Sequence, residues 1–335
     1  MRPDLVFLYK NTIVHIQFIF IVYDIGNLGG VQVKNVLLIK NPRAGKDSKR
    51  LSSEDIIRAF REHDIECIEK LTTCPGDGVN IAEKYAADYD AVICCGGDGT
   101  YNEVINGMML AGAENPIIYL PCGSTNDLAH TLGISNDPKK AAQMYVDKLI
   151  HKFDIGKFNE KYFSYVASFG MATEIAYSTS QKVKNMLGRS AYLINGFVIK
   201  LVPMIKNTKP AHMKIEHDGG VIEDKFYFGA VANTNEISGL FKLENEGVKM
   251  NDGLFELLLV KARGLKDLAS VFTKALRQDY SDENVVLLKT AKLKITSEDD
   301  VAWTLDGEYG GAHNIVDINV KKEAIDVVSP MVKFL

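Results

Sequence analysis

Three glycines around one aspartate, in Cys94-Cys95-Gly96-Gly97-Asp98-Gly99-Thr100-Tyr101-Asn102-Glu103, constrain this chain more than any other stretch. The apolar run Ala91-Val92-Ile93 before them reads as a buried strand. Val104-Ile105-Asn106-Gly107-Met108-Met109-Leu110 after them has the apolar spacing of a helix. The glycines therefore lie in a strand-to-helix turn. Without Cβ atoms the backbone there can bend sharply and approach a ligand closely. Free amides and the positive end of the following helix favour an anion. A phosphate suits the site, and Asp98 suits a phosphate only with a cation between them, which implies a magnesium nucleotide. The competing reading is a plain tight connection, although an aspartate among glycines has little packing purpose. Neither G-x-x-x-x-G-K-[S/T] nor G-x-G-x-x-G occurs, so the common phosphate loop and the dinucleotide fingerprint are both excluded.

Around this turn the chain alternates strand and helix. Val33 to Lys40 reads as a buried strand ending in the turn Asn41 to Gly45, and Ile56-Ile57-x-x-Phe60 marks one face of a helix. Ile65 to Lys70 is a second strand, Val79 to Ala87 a helix, Ala91 to Cys95 the central strand and Pro116 to Leu120 another. Such alternation predicts a parallel α/β sheet with right-handed crossovers. Ligands of these sheets bind outside the carboxyl ends of the strands. The turns after Ile39, Leu71, Cys95 and Leu120 all fall at that edge, so they are expected to share one crevice. Beyond about Asp154 short alternating runs take over: Tyr162 to Ala167, Met213 to Glu216, Lys225 to Ala232, Phe255 to Val260, Lys292 to Thr296 and Ile315 to Val320. Turns such as Asp218-Gly219-Gly220 separate them, and one helix, Leu265 to Leu276, interrupts them. This predicts an antiparallel β domain.

At 335 residues the chain exceeds the usual size of one core, so two domains are expected. A net charge of −4 argues against a nucleic-acid binder. The five cysteines, Cys67, Cys74, Cys94, Cys95 and Cys122, include no C-x-x-C pair and imply neither a disulfide framework nor a zinc site. That points to the cytoplasm. Residues 1–32 do not fit the rest. Their apolar run, Ile13 to Tyr23, is interrupted by His15 and Gln17 and is about half the ~20 residues of a membrane helix. The favoured expectation is a sequence upstream of the native start; a membrane-touching anchor and an extra strand or helix are the alternatives.

Four blocks in fixed order give a more specific signal. Asn41-Pro42-x-Ala44-Gly45, Gly96-Gly97-Asp98-Gly99-Thr100-x-Asn102-Glu103, Pro121-x-Gly123-Ser124-x-Asn126-Asp127-x-Ala129 and Leu305-Asp306-Gly307-Glu308 together resemble the motif set of the diacylglycerol kinase catalytic family. Soluble bacterial diacylglycerol kinases belong to it and, more distantly, sphingosine and ceramide kinases. The glycine block alone is shared with NAD kinases and phosphofructokinases. The resemblance runs from about Val33 to the C-terminus. It implies an α/β N-terminal domain (33–154) with a parallel sheet of the NAD-kinase and phosphofructokinase kind. A C-terminal antiparallel β-sandwich domain (155–323) would carry the lipid site, and residues 324–335 would return to the first domain.

The implied activity is transfer of the γ-phosphoryl of ATP, with Mg2+, to the hydroxyl of diacylglycerol, giving phosphatidic acid. The implied nucleotide positions are Asn41, Pro42, Arg43, Ala44, Gly45, Thr72, Gly97, Asp98, Gly99, Thr100, Tyr101, Asn102, Glu103 and Ser124. Ser124 stands where the family usually has threonine. Asn126 and Asp127 suit holding their own loop. A lipid alcohol needs a carboxylate as general base, and the resemblance gives that role to Asp306, with Glu308 supporting water and metal. Asp98 would approach the nucleotide's magnesium or, in the manner of sphingosine kinases, help deprotonate the acceptor. Without the resemblance, Asp306-Gly307 reads as a hairpin turn.

Lys249-Met250-Asn251-Asp252-Gly253-Leu254 resembles a loop holding a structural magnesium through the carbonyls of Lys249 and Leu254 and the carboxylate of Asp252. Asn251 replaces a common aspartate there, and an ordinary Asp-Gly turn is the rival. Between Glu174 and Glu216 there is no acidic residue, while Lys182, Lys184, Arg189, Lys200, Lys206, Lys209 and Lys214 are basic among many apolar residues. At about 1 kcal/mol per basic residue near an anionic leaflet, this segment is expected to dock on the inner membrane face. A helix with solvated lysines is the alternative. A homodimer is compatible with the sequence, which leaves oligomeric state open. The acceptor is also open: phosphatidylglycerol or a sphingoid base would use similar chemistry. NAD kinase and a non-catalytic lipid sensor complete the alternatives.

Overall fold

The computed structural model describes residues 34–44, 51–124, 126–170, 209–234, 236–237, 241–242, 248–261, 267–268, 270–271, 274 and 279–330. The expectations for residues 1–32, for Gly45, for most of the basic segment and the 265–276 helix, and for 331–335 fall outside these.

Strands and helices alternate first: β1 (Lys34–Lys40), α1 (Ser53–Arg61), β2 (Ile65–Leu71), α2 (Asp77–Tyr85), β3 (Ala91–Gly96), α3 (Asp98–Ala111), β4 (Ile117–Pro121), α4 (Asp127–Leu132) and α5 (Pro138–Val146). In β1, Val36 to Ile39 have no exposed surface, and such a run needs cover on both faces. Alternation along the strand divides it between two cores. Val36 and Leu38 pack with Ile56, Phe60 and Tyr145 of α1 and α5, while Leu37 and Ile39 pack with Ala82, Val104 and Met108 of α2 and α3. Local chemistry starts the helices where the packing needs them. The Ser52 hydroxyl accepts from the Asp55 amide at 3.0 Å to cap α1, and Asp137 accepts from the Lys139 amide at 3.0 Å ahead of Pro138 to cap α5. Strands β1 and β2, β1 and β3, and β3 and β4 all pair in parallel.

Strands β5 (Ile150–Phe158), β6 (Lys161–Phe163), β7 (Val166–Gly170), β8 (Ala211–His217), β9 (Gly220–Ala232), β10 (Glu236–Ile237), β11 (Phe241–Lys242), β12 (Phe255–Lys261), β13 (Val285–Thr290), β14 (Lys292–Leu305) and β15 (Glu308–Val328) follow. Their mutual pairings are antiparallel, so antiparallel contacts outnumber parallel ones in the described chain. A core of Phe158, Phe163, Phe169, Phe255 and Trp303 fills this part. The resemblance implies a sandwich here whose last segment returns to the first domain; hydrogen bonding runs without a break into the parallel strands through the 21-residue β15. That strand pairs antiparallel with β14 and β5, and then its Val327 and Val328 pair parallel with Ile117 and Ile118 of β4. The run predicted at Tyr162 to Ala167 divides into β6 and β7. The break falls where the amides of Ser164, Tyr165 and Val166 bond the Asp306 side chain.

Candidate active site

The strand ends are drawn together at the carboxyl edge of the parallel strands. The amide of Asn41 donates to the Cys95 carbonyl (2.9 Å), that of Thr72 to Lys40 (2.9 Å) and that of Cys122 to Gly96 (2.7 Å). Pairing thus continues one residue past each strand, which aligns the turns. Helix α3 starts here on Gly97, with no side-chain cap, so its first-turn amides are available to an anion. The Gly97 turn and the Gly123 turn touch backbone to backbone. A methyl on Gly123 would lie 2.5 Å from the Gly97 Cα and 2.7 Å from Asn126 Oδ1. Asn126, at φ 52°, holds its own turn by accepting from the Gly123 amide and donating to the Gly123 carbonyl, both at 2.9 Å. Gly123→Ala must therefore separate the two loops. We expect it to raise the KM for nucleotide at least about tenfold, the loss from a misplaced binding loop, which steady-state kinetics would measure.

Three carboxylates meet this helix start. Asp98 Oδ2 accepts from the Asp127 amide at 3.2 Å, while its Oδ1 is buried with no hydrogen-bond partner. Burial, then the charges of Asp127 and Asp306, push the Asp98 carboxyl up to about 7. The Glu308 carboxylate lies over Gly99, so close that a Cβ there would be 2.6 Å from Oε1. Asp306 occupies a two-residue turn with Gly307, at φ 50° and 86°, between the paired Leu305 and Glu308. It is thus a hairpin turn whose side chain is nonetheless 2% exposed. Its Oδ1 accepts from the Tyr165 (2.9 Å) and Val166 (3.1 Å) amides, and its Oδ2 from the Ser164 amide (2.7 Å) and Asn102 Nδ2 (2.8 Å). Burial pushes this carboxyl up while the three amides and Asn102 oppose it. All four lone pairs are engaged, so Asp306 could take a proton only by releasing a donor. This differs from the expectation of a base free to act.

The expected nucleotide positions divide in the same way. Asn41 and Thr100 stay at this strand edge, joined by a 3.0 Å bond from Asn41 Nδ2 to Thr100 Oγ1, and Asn41 Oδ1 accepts from the Arg43 amide at 2.9 Å. Pro42, Arg43 and Ser124 are exposed, and Ala44 and Thr72 are buried. Two positions are committed elsewhere. Tyr101 is buried against Tyr119, with ring centroids 4.7 Å apart. Glu103 accepts from the Gly76 (2.8 Å) and Gly78 (3.0 Å) amides, serving the open start of α2. Asn102 reaches Asp306 and also the Tyr162 carbonyl. Sequence reasoning passed over Asn106, one turn further along α3. It bonds both the carbonyl (2.9 Å) and the amide (2.8 Å) of Tyr162, fastening α3 to β6. The only signal was two asparagines at i and i+4 in an otherwise apolar helix.

Two cation sites can be tested against these side chains. At Asp98, an unpartnered buried oxygen beside two further aspartates fits a divalent cation. Among the described residues no three His, Cys, Asp or Glu side chains converge as a metal centre, so such a cation would need phosphate oxygens as well. The Lys249 to Leu254 loop fits less well. Asp252 Oδ1 accepts from the Leu254 amide at 3.0 Å, and Oδ2 lies 3.5 Å from the Lys289 ammonium. The same ammonium lies 3.3 Å from Glu256, whose carboxyl burial pushes up to about 7 against the lowering effect of Lys289. A cation is therefore built into the chain there, and a metal at Asp252 would face it. We expect the Tm to be unchanged by EDTA in the natural chain, and Lys289→Met to make it rise with added magnesium, as calorimetry would read.

The residues 35–158 match the family model of the diacylglycerol kinase catalytic domain. The chain is 32% identical to the diacylglycerol kinase of Bacillus subtilis (strain 168) over 304 residues, 90% of this chain and 98% of that protein. The chain belongs to the diacylglycerol kinase family. It is also 32% identical over 299 residues to the diacylglycerol kinase of Staphylococcus aureus (strain MRSA252), covering 89% of this chain and 93% of the relative. A crystal structure of a diacylglycerol kinase from Bacillus anthracis str. Sterne superposes with a TM-score of 0.67 at 20% identity, over 91% of this chain and 100% of that one. Another crystal structure from the same organism gives 0.72 at 22% identity over 90% and 98%. These superpositions establish the likeness of fold. No described helix of this family member is long and apolar enough to cross a membrane.

Proposed function

We propose that this chain transfers the γ-phosphoryl group of ATP to the hydroxyl of diacylglycerol, forming phosphatidic acid and ADP. The observation that carries the reading is the meeting of Asp98, Asp306 and Glu308 at the uncapped start of α3, beside two glycine turns in backbone contact. Phosphoryl transfer depends mainly on positioning and on electrostatic stabilisation, and this crevice offers both. The first-turn amides of α3 and the Asn41 and Gly123 turns would hold the phosphates. Magnesium, carried on the phosphate oxygens of the nucleotide, would neutralise their charge and leave Asp98 Oδ1 to the acceptor.

In this reading Asp98 Oδ1, unpartnered and tuned near neutrality, takes the proton of the incoming hydroxyl. Asp306 positions β6 and β7 against α3, and Glu308, over Gly99, would help hold the nucleotide's metal and its water. Residues 33–154 form the nucleotide half and 155–323 the lipid half. The lysine-rich stretch between Glu174 and Glu216, with its lack of acidic residues, supports docking on an anionic inner membrane face from the cytoplasm.

Incubation of the full chain with radiolabelled ATP and a total lipid extract tests the acceptor. Labelled phosphatidic acid is the expected product, absent with Asp98→Asn. A different labelled lipid would reassign the acceptor, and label appearing only when NAD is supplied would overturn the reading.

A further inference from the structure

Two thiols lie in contact beneath the nucleotide turns, and the reaction uses neither. Cys95 precedes Gly96-Gly97 at the end of β3, and Cys122 lies between β4 and Gly123. Their sulfurs are 3.4 Å apart, with Cys95 1% and Cys122 8% exposed. They share the core on the α1 and α5 side of the sheet, whereas Cys94 belongs to the opposite core and does not compete.

We propose that Cys95 and Cys122 form an oxidation site for hydrogen peroxide or another small hydroperoxide, and that the resulting disulfide disables the nucleotide turns. The Cys122 thiolate attacks one oxygen of hydrogen peroxide, the O–O bond breaks, and the leaving hydroxide takes up the proton that the Cys122 thiol lost, so a sulfenic acid and one water form. The Cys95 sulfur then attacks the Cys122 sulfur, its proton leaves with the departing oxygen as a second water, and the S–S bond closes. Two thiols are oxidised and one peroxide is reduced to two waters. The order follows from surroundings: the Cys95 thiol hydrogen bond and the Lys40 ammonium hold the Cys122 thiol below its ordinary value, against burial.

The consequence for binding is geometric. A disulfide is about 2.05 Å long, so the sulfurs must close by roughly 1.4 Å from contact. The Cys122 backbone has little slack, since its amide already bonds Gly96 at 2.7 Å and the next residue abuts Gly97. The movement therefore passes into the Gly97 and Gly123 turns.

The activity arm of the test rests on the kinase reading; the cross-link does not. The full chain is treated with hydrogen peroxide, then assayed by peptide mapping, ATP binding and ADP release with diacylglycerol vesicles, before and after reduction with a phosphine. Expected are a Cys95–Cys122 linked peptide, a mass lower by about 2 Da, and at least about tenfold weaker ATP binding and slower turnover, restored by reduction. Cys95→Ser, Cys122→Ser and Cys122→Ala should each keep their own untreated level, while Cys74→Ser should respond like the natural chain. Absence of the linked peptide overturns the site. A linked peptide with unchanged ATP binding, or equal losses in the Cys122 variants, overturns its effect. If untreated protein lacks kinase activity, the cross-link and ATP binding still decide the site.

Discussion

Asp306→Ala is expected to destabilise the chain by about 4 kcal/mol, because it strips the acceptor from three buried amides whose orphaning costs about 1–3 kcal/mol each before relaxation. The amides are those of Ser164, Tyr165 and Val166, and Asn102 Nδ2 loses one of its two acceptors, keeping the Tyr162 carbonyl. The backbone adds strain, since φ at 306 is 50° and alanine dislikes the left-handed region that aspartate tolerates. In thermal unfolding the loss corresponds to a Tm lower by on the order of 10 °C. Asp306→Asn should fall between, as its amide oxygen can still accept from two donors while its NH2 confronts the others. A Tm unchanged in both variants would mean that the side chain is a dispensable neighbour of β6 and β7, and would return it to a purely chemical role.

Asp98→Asn should give the opposite pattern, a loss of kcat/KM of about 10²- to 10⁴-fold, the usual contribution of a positioned proton acceptor, with a folded and undiminished Tm. Burial, Asp127 and Asp306 push the natural carboxyl from 3.8 to about 7, so between those values the folded chain holds a proton that the unfolded chain releases. The stability this group supplies is present below about pH 4 and is lost as pH rises through about 7. Asparagine carries no such proton, so the variant's Tm should vary less across that window. In the natural enzyme, kcat/KM should rise with pH through about 7 as Asp98 ionises, and a pH profile of the free enzyme reads that limb directly. A profile flat from pH 5 to about 8 would remove Asp98 from the proton-transfer step.

These two aspartates also mark the limit of sequence reasoning. Asp306-Gly307 reads as a hairpin turn from local propensity and as a base from its motif, and the structure shows why neither description is complete. The turn is real, but its side chain fastens residues 164–166, which lie 140 to 142 positions away in sequence. Tyr101 and Glu103 sit within the glycine motif, yet one fills the core against Tyr119 and the other serves the start of α2. Motif spacing marks a neighbourhood, whereas the direction of each side chain along α3 follows the helical period and what packs against each face. Strand β13 was missed because Val285 to Leu288 carry no alternation.

What the sequence determined by itself was periodic and local. Four buried or alternating strands with intervening helices dictated parallel pairing and turns at one edge, and glycines between β3 and α3 dictated an uncapped helix start. The tertiary structure alone decided which charges meet. Long-range pairing through β15 carries Asp306 and Glu308 to α3, the antiparallel β12–β13 pair sets Lys289 opposite Glu256 and near Asp252, and β4 brings Cys122 to Cys95. The physical reason is that hydrophobic periodicity reports which face of an element is buried, but not which distant element covers it.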